Sequence, residues 1–521
     1  MFLYGLPFWV LVLLLPLLLV IIRKIKVQRE NNQLPPSPAK LPIIGNLHQL
    51  RGSPHRAFWQ LSKKYGPVML LQFGSVPAVI ISSAEAAEEA LKIHDLSCCS
   101  RPPLAGAARL SYNYLDVAFS PYGDYWREIR RICVLELFST KRVQSFQFVR
   151  EEEVGLLINS ISQSSSSATP VDLTEKFLTL TANITFRMAF GTSFGETDFH
   201  KDRFKKLIDD AQALLGSFSA NEFFPYVGWI IDRISGYHAR TENVFCQLDT
   251  FFQWIIDDHL KLGRTDKGQE DIIDVLLRIE REKTGVGSVQ LTKDHIKAVL
   301  MDLFLAGVNT GAVTLIWAMA ELARSPRVMK KAQEEVRNVI RNKERVLESD
   351  VDELYYIKMV IKETLRLHPP APLLLPREAI SNFKINGYRI HPKTLIQVNV
   401  WAIGRDPNYW KNPEEFFPER FVDSSIDFKG QNFEFLPFGA GRRGCPALYM
   451  GTILVELVIA NLLYCFDWRL PNGEENINME EQAGPSLTVS KKEAVKLVPS
   501  SFFVLEWQEL SINEEDMPQE S

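Results

Sequence analysis

One segment limits the possible folds more than any other. Between Thr292 and Arg324, just before Ser325-Pro326, the chain is apolar on nearly every side from Ala298 to Ala320. A helix of that length spans roughly 50 Å at 1.5 Å per residue. With no polar face it has to cross the interior, and the rest of the chain has to wrap around it. Thr292 can cap its start, and Asp294 suits the first turn. Its middle reads Ala306-Gly307-Val308-Asn309-Thr310-Gly311. Two glycines inside a helix cost about 1 kcal/mol each relative to alanine. Something packed there must offset that, either a flat body lying against the helix or a second helix in close approach.

Most other segments show helical periodicity. Strands are short and few. Val68–Phe73 and Val76–Ile81, around Gly74-Ser75, read as a hairpin. Phe383–Ile385 and Tyr388–Ile390, around Asn386-Gly387, read as another. Residues 160–168, 263–269 and 285–288 read as polar connections. No alternating strand–helix series builds a parallel sheet, so the expected class is mainly α with small β-sheets, an α+β fold. The chain has 521 residues, 46% of them apolar, enough for a large core. A net charge of −4 argues against nucleic acid as a partner. The six cysteines form no C-x-x-C pair and no disulfide framework, which points to a reducing compartment.

Residues 1–22 are an apolar run of membrane-spanning length, followed by Arg23, Lys24, Lys26 and Arg29. That charge bias predicts a single-pass anchor with the downstream chain in the cytosol. There the Asn183-Ile184-Thr185 sequon would be inert. Residues 23–45 form a basic, proline-punctuated segment, expected to act as a stiff spacer. The body then runs over 46–510. Residues 511–521 form an acidic tail expected to be disordered.

The chemistry centres on Phe435 to Pro446, a glycine-rich loop ending in Cys445-Pro446 ahead of an apolar helix. Pro446 suits a first-turn position. A helix N-terminus carries partial positive charge and unpaired N–H groups, which favour a thiolate. Such a thiolate suits a soft metal centre. Gly439, Gly441 and Gly444 also satisfy G-x-G-x-x-G, but that fingerprint needs a strand before it and an acidic residue about 20 positions on. Here two arginines and Cys-Pro follow instead, so a nucleotide site is disfavoured. Glu363 and Arg366 lie one helical turn apart, as do Trp126 and Arg130. Arg377 follows Pro376, and Arg420 lies in Pro418-Glu419-Arg420-Phe421.

Taken in order, these motifs resemble the cytochrome P-450 family, the haem-thiolate monooxygenases, and among them the plant microsomal A-type. The loop matches F-x-x-G-x-R-x-C at Phe438, Gly441, Arg443 and Cys445, and E-x-x-R falls on Glu363 and Arg366. The resemblance covers the chain from the proline segment to about Leu497. It implies haem b, with Cys445 as the axial iron ligand and Phe438 packed beside it. Arg130, Arg377 and Arg443 would hold the propionates, with help from the Trp126 indole. Glu363, Arg366 and Arg420 would form a buried ionic network behind the loop. Gly307 and Thr310 would face the distal side of the haem.

Two positions depart from the family pattern. Asn309 stands where an acid usually precedes the threonine, and Asn cannot titrate. Proton delivery would then run through water and Thr310, or the turnover would differ from simple hydroxylation. Ala447 replaces a common glycine. By the same resemblance, Leu104 and Phe119, Leu303 and Ala306, Ala371, Leu373 and Leu374, and Leu487 would line a pocket for a small lipophilic substrate. The expected reaction inserts one oxygen atom from O2 into a plant specialised metabolite of terpenoid, alkaloid or phenolic type. The alternatives are desaturation, ring closure or rearrangement at the same haem, or a haem-binding protein without turnover. No nicotinamide or flavin fold is visible, so electrons would come from NADPH through a separate reductase, with cytochrome b5 as a second candidate partner. Arg127, Arg130, Arg131, Lys141 and Arg142 offer a basic docking face. The expected location is the endoplasmic reticulum membrane, in contact with its lipid.

Overall fold

The computed structural model describes residues 33–165, 169–192, 201–261, 270–282, 290–341, 343–473, 476–484 and 486–502. The expected anchor, residues 23–32 of the spacer, the connections at 263–269 and 285–288, and the acidic tail lie outside them. The longer helices are α1 (Pro54–Tyr65), α2 (Asp124–Ile132), α3 (Gln147–Ser165), α4 (Leu173–Phe190), α5 (Lys201–Gly216), α6 (Tyr237–His259), α7 (Ile272–Glu282), α8 (Lys293–Arg324), α9 (Pro326–Ile340), α10 (Tyr355–Leu367) and α11 (Leu448–Cys465). The strands are β1 (Val68–Phe73), β2 (Val76–Ile81), β3 (Val171–Asp172), β4 (Arg377–Glu378), β5 (Phe383–Ile385), β6 (Tyr388–Ile390), β7 (Leu395–Val398), β8 (Phe466–Arg469) and β9 (Lys496–Ser501).

Helix α8 is the central element. Its start is held by the Thr292 N–H, which donates to His295 Nδ1 at 3.1 Å. It ends at Ser325, where Pro326 opens α9. Its long neighbour α4 begins on Asp172, whose side chain accepts from the Glu175 N–H at 3.1 Å, and stops at Gly191 in the left-handed conformation. The two helices meet at the glycines. A Cβ on Gly307 would stand 3.2 Å from Thr185 Oγ1, and one on Gly311 would stand 3.3 Å from Thr181 Cγ2. Close helix packing is therefore a reason for the two glycines. Phe186, Phe190, Phe251 and Phe304 interlock beside this contact, and Phe190 stacks on Phe304 at 5.1 Å between centroids. Helices α8 and α11 are long and apolar enough to cross a membrane, but both are mostly buried in this body and serve as core helices.

Three small sheets sit at the edge of the helical body. The largest has the order β1-β2-β7-β4, antiparallel except for the β2–β7 pair, where Ala78 aligns with Leu395. Both expected hairpins form with the expected ends. The spacer, where described, lies along β1. The Leu70 N–H donates to the Pro36 carbonyl at 2.8 Å, and the Asn46 N–H donates to the Gln72 carbonyl at 2.6 Å. Gly45 makes this close approach possible, since a Cβ there would overlap the Gln72 carbonyl at 2.1 Å. The serine-rich stretch departs from expectation. Residues 160–165 continue α3 as helix, because Ile161 is fully buried and the Ser160 and Ser162 hydroxyls donate back to the Leu157 and Ile158 carbonyls.

Candidate functional site

The cysteine loop is built by backbone that only glycine adopts easily. Gly439 and Gly441 both have φ +68°, and a Cβ on Gly441 would stand 2.3 Å from the Leu91 carbonyl oxygen. The Cys445 N–H donates to the Phe438 carbonyl at 2.9 Å, which folds the loop back on itself. Helix α11 starts at Leu448, with Ala447 in the capping position. Cys445 and Pro446 therefore precede the helix rather than occupy its first turn, because the short helical turn Gly441–Arg443 takes up the chain reversal first.

Cys445 retains accessible surface although protein surrounds it densely. Burial pushes its thiol above the ordinary value, against the Ala447 amide and the Arg130 charge, which favour the thiolate. A coordinating cation would supply what is missing, since it deprotonates a thiol outright.

Four arginines crowd beside this loop. The Arg443 guanidinium donates to the carbonyls of Cys99 (2.8 Å), Val117 (3.2 Å) and Ser120 (2.6 Å), and lies 4.0 Å over the Trp126 ring. Arg130 donates to the Gly444 carbonyl at 2.6 Å. Arg377 donates to Asp95 at 2.6 Å and to the Ala440 carbonyl at 2.9 Å. Arg101, which the motifs did not single out, donates to the carbonyls of Ala118, Leu375 and Pro376. Burial first, and then mutual repulsion among these cations, moves Arg443 down to about 9 and Arg101 well below its usual value. Such a cluster is short of negative charge, and a group with two carboxylates would balance it. The donor set therefore fits a haem, with Cys445 for the iron and the arginines for the propionates. The Trp126 indole, expected to assist, donates to the Val117 carbonyl at 3.0 Å.

The ionic network is present behind the loop. Both Glu363 oxygens hold Arg366, and Oε1 also accepts from Arg420 Nε at 2.8 Å and the Phe417 N–H at 2.9 Å. Arg366 also donates to the carbonyls of Gly404 and Pro413.

The four segments expected to form the pocket are tied together. Arg101 joins Ala118 to Leu375. The Val489 N–H donates to the Pro370 carbonyl at 2.9 Å, and Trp317 on α8 donates to the Val489 carbonyl at 3.1 Å. Asp302 on α8 accepts the N–H groups of Val117 and Ala118. Leu303 and Phe119 are buried, and Ala306 is exposed on the same helix as Leu303. The Thr310 hydroxyl donates to the Ala306 carbonyl at 2.6 Å. Asn309 is buried and faces Asp209 on α5. Leu104, Ala371 and Leu487 are half-buried on their loops. Leu373 and Leu374 do not stand on one wall. Leu374, held at φ +54°, packs beside Gly439, whereas Leu373 joins the cluster of Phe58 and Met69 at the sheet. Gly307 has its missing side chain toward Thr185. Pro485 lies outside the described residues.

The basic face is smaller than the sequence suggests. Arg130 is turned inward, Arg127 pairs with Asp124, and Arg142 pairs with Glu270. Arg131 and Lys141 remain exposed.

A buried cysteine loop, an ionic network behind it and a cationic cluster fit for a dicarboxylate together describe a haem-thiolate protein. The family model for Cytochrome P450 matches residues 35–497, and the chain belongs to that family. Cytochrome P450 71B37 of Arabidopsis thaliana is 56% identical over 95% of this chain and 99% of its own length. Cytochrome P450 71B9 of the same plant is 57% identical over 89% of this chain and 93% of its own length. The chain is thus a plant A-type member and a monooxygenase, an oxidoreductase that needs a redox partner. A zebrafish cytochrome P450 solved with abiraterone covers 86% of this chain with a TM-score of 0.71. At 24% identity it speaks for the fold alone.

Proposed function

We propose that this monooxygenase is held at the endoplasmic reticulum membrane and inserts one oxygen atom into a lipophilic plant specialised metabolite. Electrons would come from NADPH through a separate reductase. The observation that carries the reading is the four-arginine cluster beside Cys445, in which Arg377 pairs with Asp95 and the other three donate to backbone carbonyls, so that the two carboxylates of haem b would balance it. Bound there, the haem supplies the oxygen chemistry. The chain supplies the rest. Cys445 would hold the iron through its sulfur, and Phe438 would limit water around it. Arg130, Arg377, Arg443 and Arg101 neutralise the propionates. Leu303 and Phe119 keep the distal side apolar. Thr310 Oγ1 can accept a hydrogen bond while its own proton stays on the Ala306 carbonyl.

Membrane placement has support from the surface. Leu41, Ile43, Tyr226 and Val227 are exposed together around a groove of about 670 Å³ where the spacer meets residues 223–227. A lipid surface would cover them. Arg131 and Lys141 support docking of an acidic reductase or cytochrome b5 surface. Asn309 favours a second reading. It is buried against Asp209 and cannot titrate, so desaturation, ring closure or rearrangement at the same site stays open.

The test is turnover of the purified protein with reductase, NADPH and a panel of lipophilic plant compounds, read by mass. A product one oxygen heavier supports the first reading. Products of unchanged mass, or lacking two hydrogens or water, support the second. Haem-loaded protein that consumes no NADPH with any compound overturns both.

A further inference from the structure

Segment 115–120 crosses between α2 and α8 and carries Phe119, a buried side chain expected in the pocket wall. Two carboxyl groups fasten it. Asp302 Oδ2, on α8, accepts the N–H groups of Val117 at 2.7 Å and Ala118 at 3.1 Å. Asp116 Oδ2 accepts the Phe119 N–H at 2.9 Å. Asp116 is 1% exposed, and among the described residues its Oδ1 has no hydrogen-bond partner. The Asp302 carboxyl, held by the amides of the next two residues, stands beside it, and a hydrogen bond between the two acids would give that oxygen a partner. Two ionised carboxylates cannot make that bond, because each only accepts. Arg101, a cation that faces the pair, gives its hydrogen bonds to the carbonyls of Ala118, Leu375 and Pro376 and none to either acid.

We propose that Asp302 and Asp116 share one proton and act as a latch, positioning residues that hold segment 116–119 against the distal helix and set where Phe119 stands. Burial raises both acids above their usual values, Asp302 to about 6, and repulsion by Asp302 lifts Asp116 further. Acids whose values are raised in the folded protein lose their contribution as pH rises. The latch therefore weakens toward alkaline pH, when the shared proton leaves and two negative charges face each other. The other groups facing the pair are Arg101 and Arg443, which are cations, and Tyr114, Tyr125 and Cys133. Burial raises both tyrosines and the cysteine, so they stay neutral over this range. The link to the pocket rests on the haem-monooxygenase reading, whereas the latch itself does not.

Hydrogen exchange of the haem-loaded protein, read by mass on a peptide covering 115–120 and normalised for intrinsic pH effects, tests it. In Asp302→Asn the side-chain oxygen can still accept both amides, and the NH2 can donate to Asp116 at every pH. In the unaltered protein, protection should fall from pH 6 to pH 8.5. In Asp302→Asn it should stay high and flat. Asp302→Ala should exchange at least about tenfold faster at pH 6. Rebinding of carbon monoxide after photolysis, a probe of access to the distal side, should follow the same pattern. Equal protection at both pH values in the unaltered protein, or loss of protection in Asp302→Asn, would overturn the latch. If Asp302→Ala does not fold, the comparison of Asp302→Asn with the unaltered protein decides alone. A latch that titrates in a protein lacking the thiolate-type carbon monoxide band would sink the haem reading and leave the latch standing.

Discussion

Glu363 grips Arg366 with both carboxylate oxygens, at 2.7 and 2.8 Å, and neither side chain has any exposed surface. The pair does not touch the cysteine loop directly. The Arg366 guanidinium lies 5.3 Å from the Trp410 ring, and Trp410 stands edge-on to Phe435, where the loop begins. Removing the carboxylate leaves Arg366 and Arg420 without their counter-charge. An uncompensated buried charge costs on the order of 3–5 kcal/mol. Glu363→Ala should therefore lower the melting temperature and the fraction of protein that incorporates haem, read as the reduced carbon monoxide band per mole of chain. Full haem incorporation in that variant would show that the network does not hold the loop.

Cys445 supplies a sharper test. Serine has nearly the same volume and keeps the backbone bond to Phe438, so Cys445→Ser should fold. The reduced carbon monoxide complex should lose the thiolate-type Soret position altogether, because a neutral hydroxyl does not give the same electron donation to iron. Retention of that band in the variant would place the ligand elsewhere.

The acid limb of stability should run partly through Glu481. Burial works to raise this carboxyl, but hydrogen bonds from His55 and Arg56 outweigh it and hold it down at about 2. A value depressed in the folded state means stability that is present above about pH 4.5 and is lost as pH falls toward 2. The size is on the order of 2–3 kcal/mol. Glu481→Gln should flatten unfolding free energy between pH 5 and pH 2. Glu419, also held at about 2 by Arg327, Lys331 and Tyr356 against burial, acts with the same sign, so the limb should shrink and not vanish. An unchanged acid limb in Glu481→Gln would contradict the assignment.

The readable parts of this protein were those with local chemistry. The ends of α8 followed from Thr292 and Ser325-Pro326, and both hairpins from Gly74-Ser75 and Asn386-Gly387. Glu363 and Arg366 were legible as a one-turn pair, although only the fold shows that the pair is buried and that Arg420 joins it. Arg101, Asp116 and Asp302 were not legible. Each sits in an ordinary context, and its role comes from partners 17 to 275 positions away that only the tertiary fold supplies. Residues 160–165 misled for a local reason, since serines read as a loop until their hydroxyls bond back into the helix.

Gly307 is where the two readings of the central helix separate. Helix packing requires the glycine because a Cβ would press on Thr185 at 3.2 Å, and a larger side chain would force α4 and α8 apart. Overpacking of that kind costs about 1–3 kcal/mol, more than the helix propensity gained by replacing glycine. Gly307→Val should therefore be destabilised in thermal unfolding. Thr185→Ala removes the Oγ1 and Cγ2 that the valine would meet, so the double variant should recover much of the loss, with a coupling of at least about 0.5 kcal/mol. If the glycine serves only an open face for ligand, truncating Thr185 gives no relief and the two changes simply add.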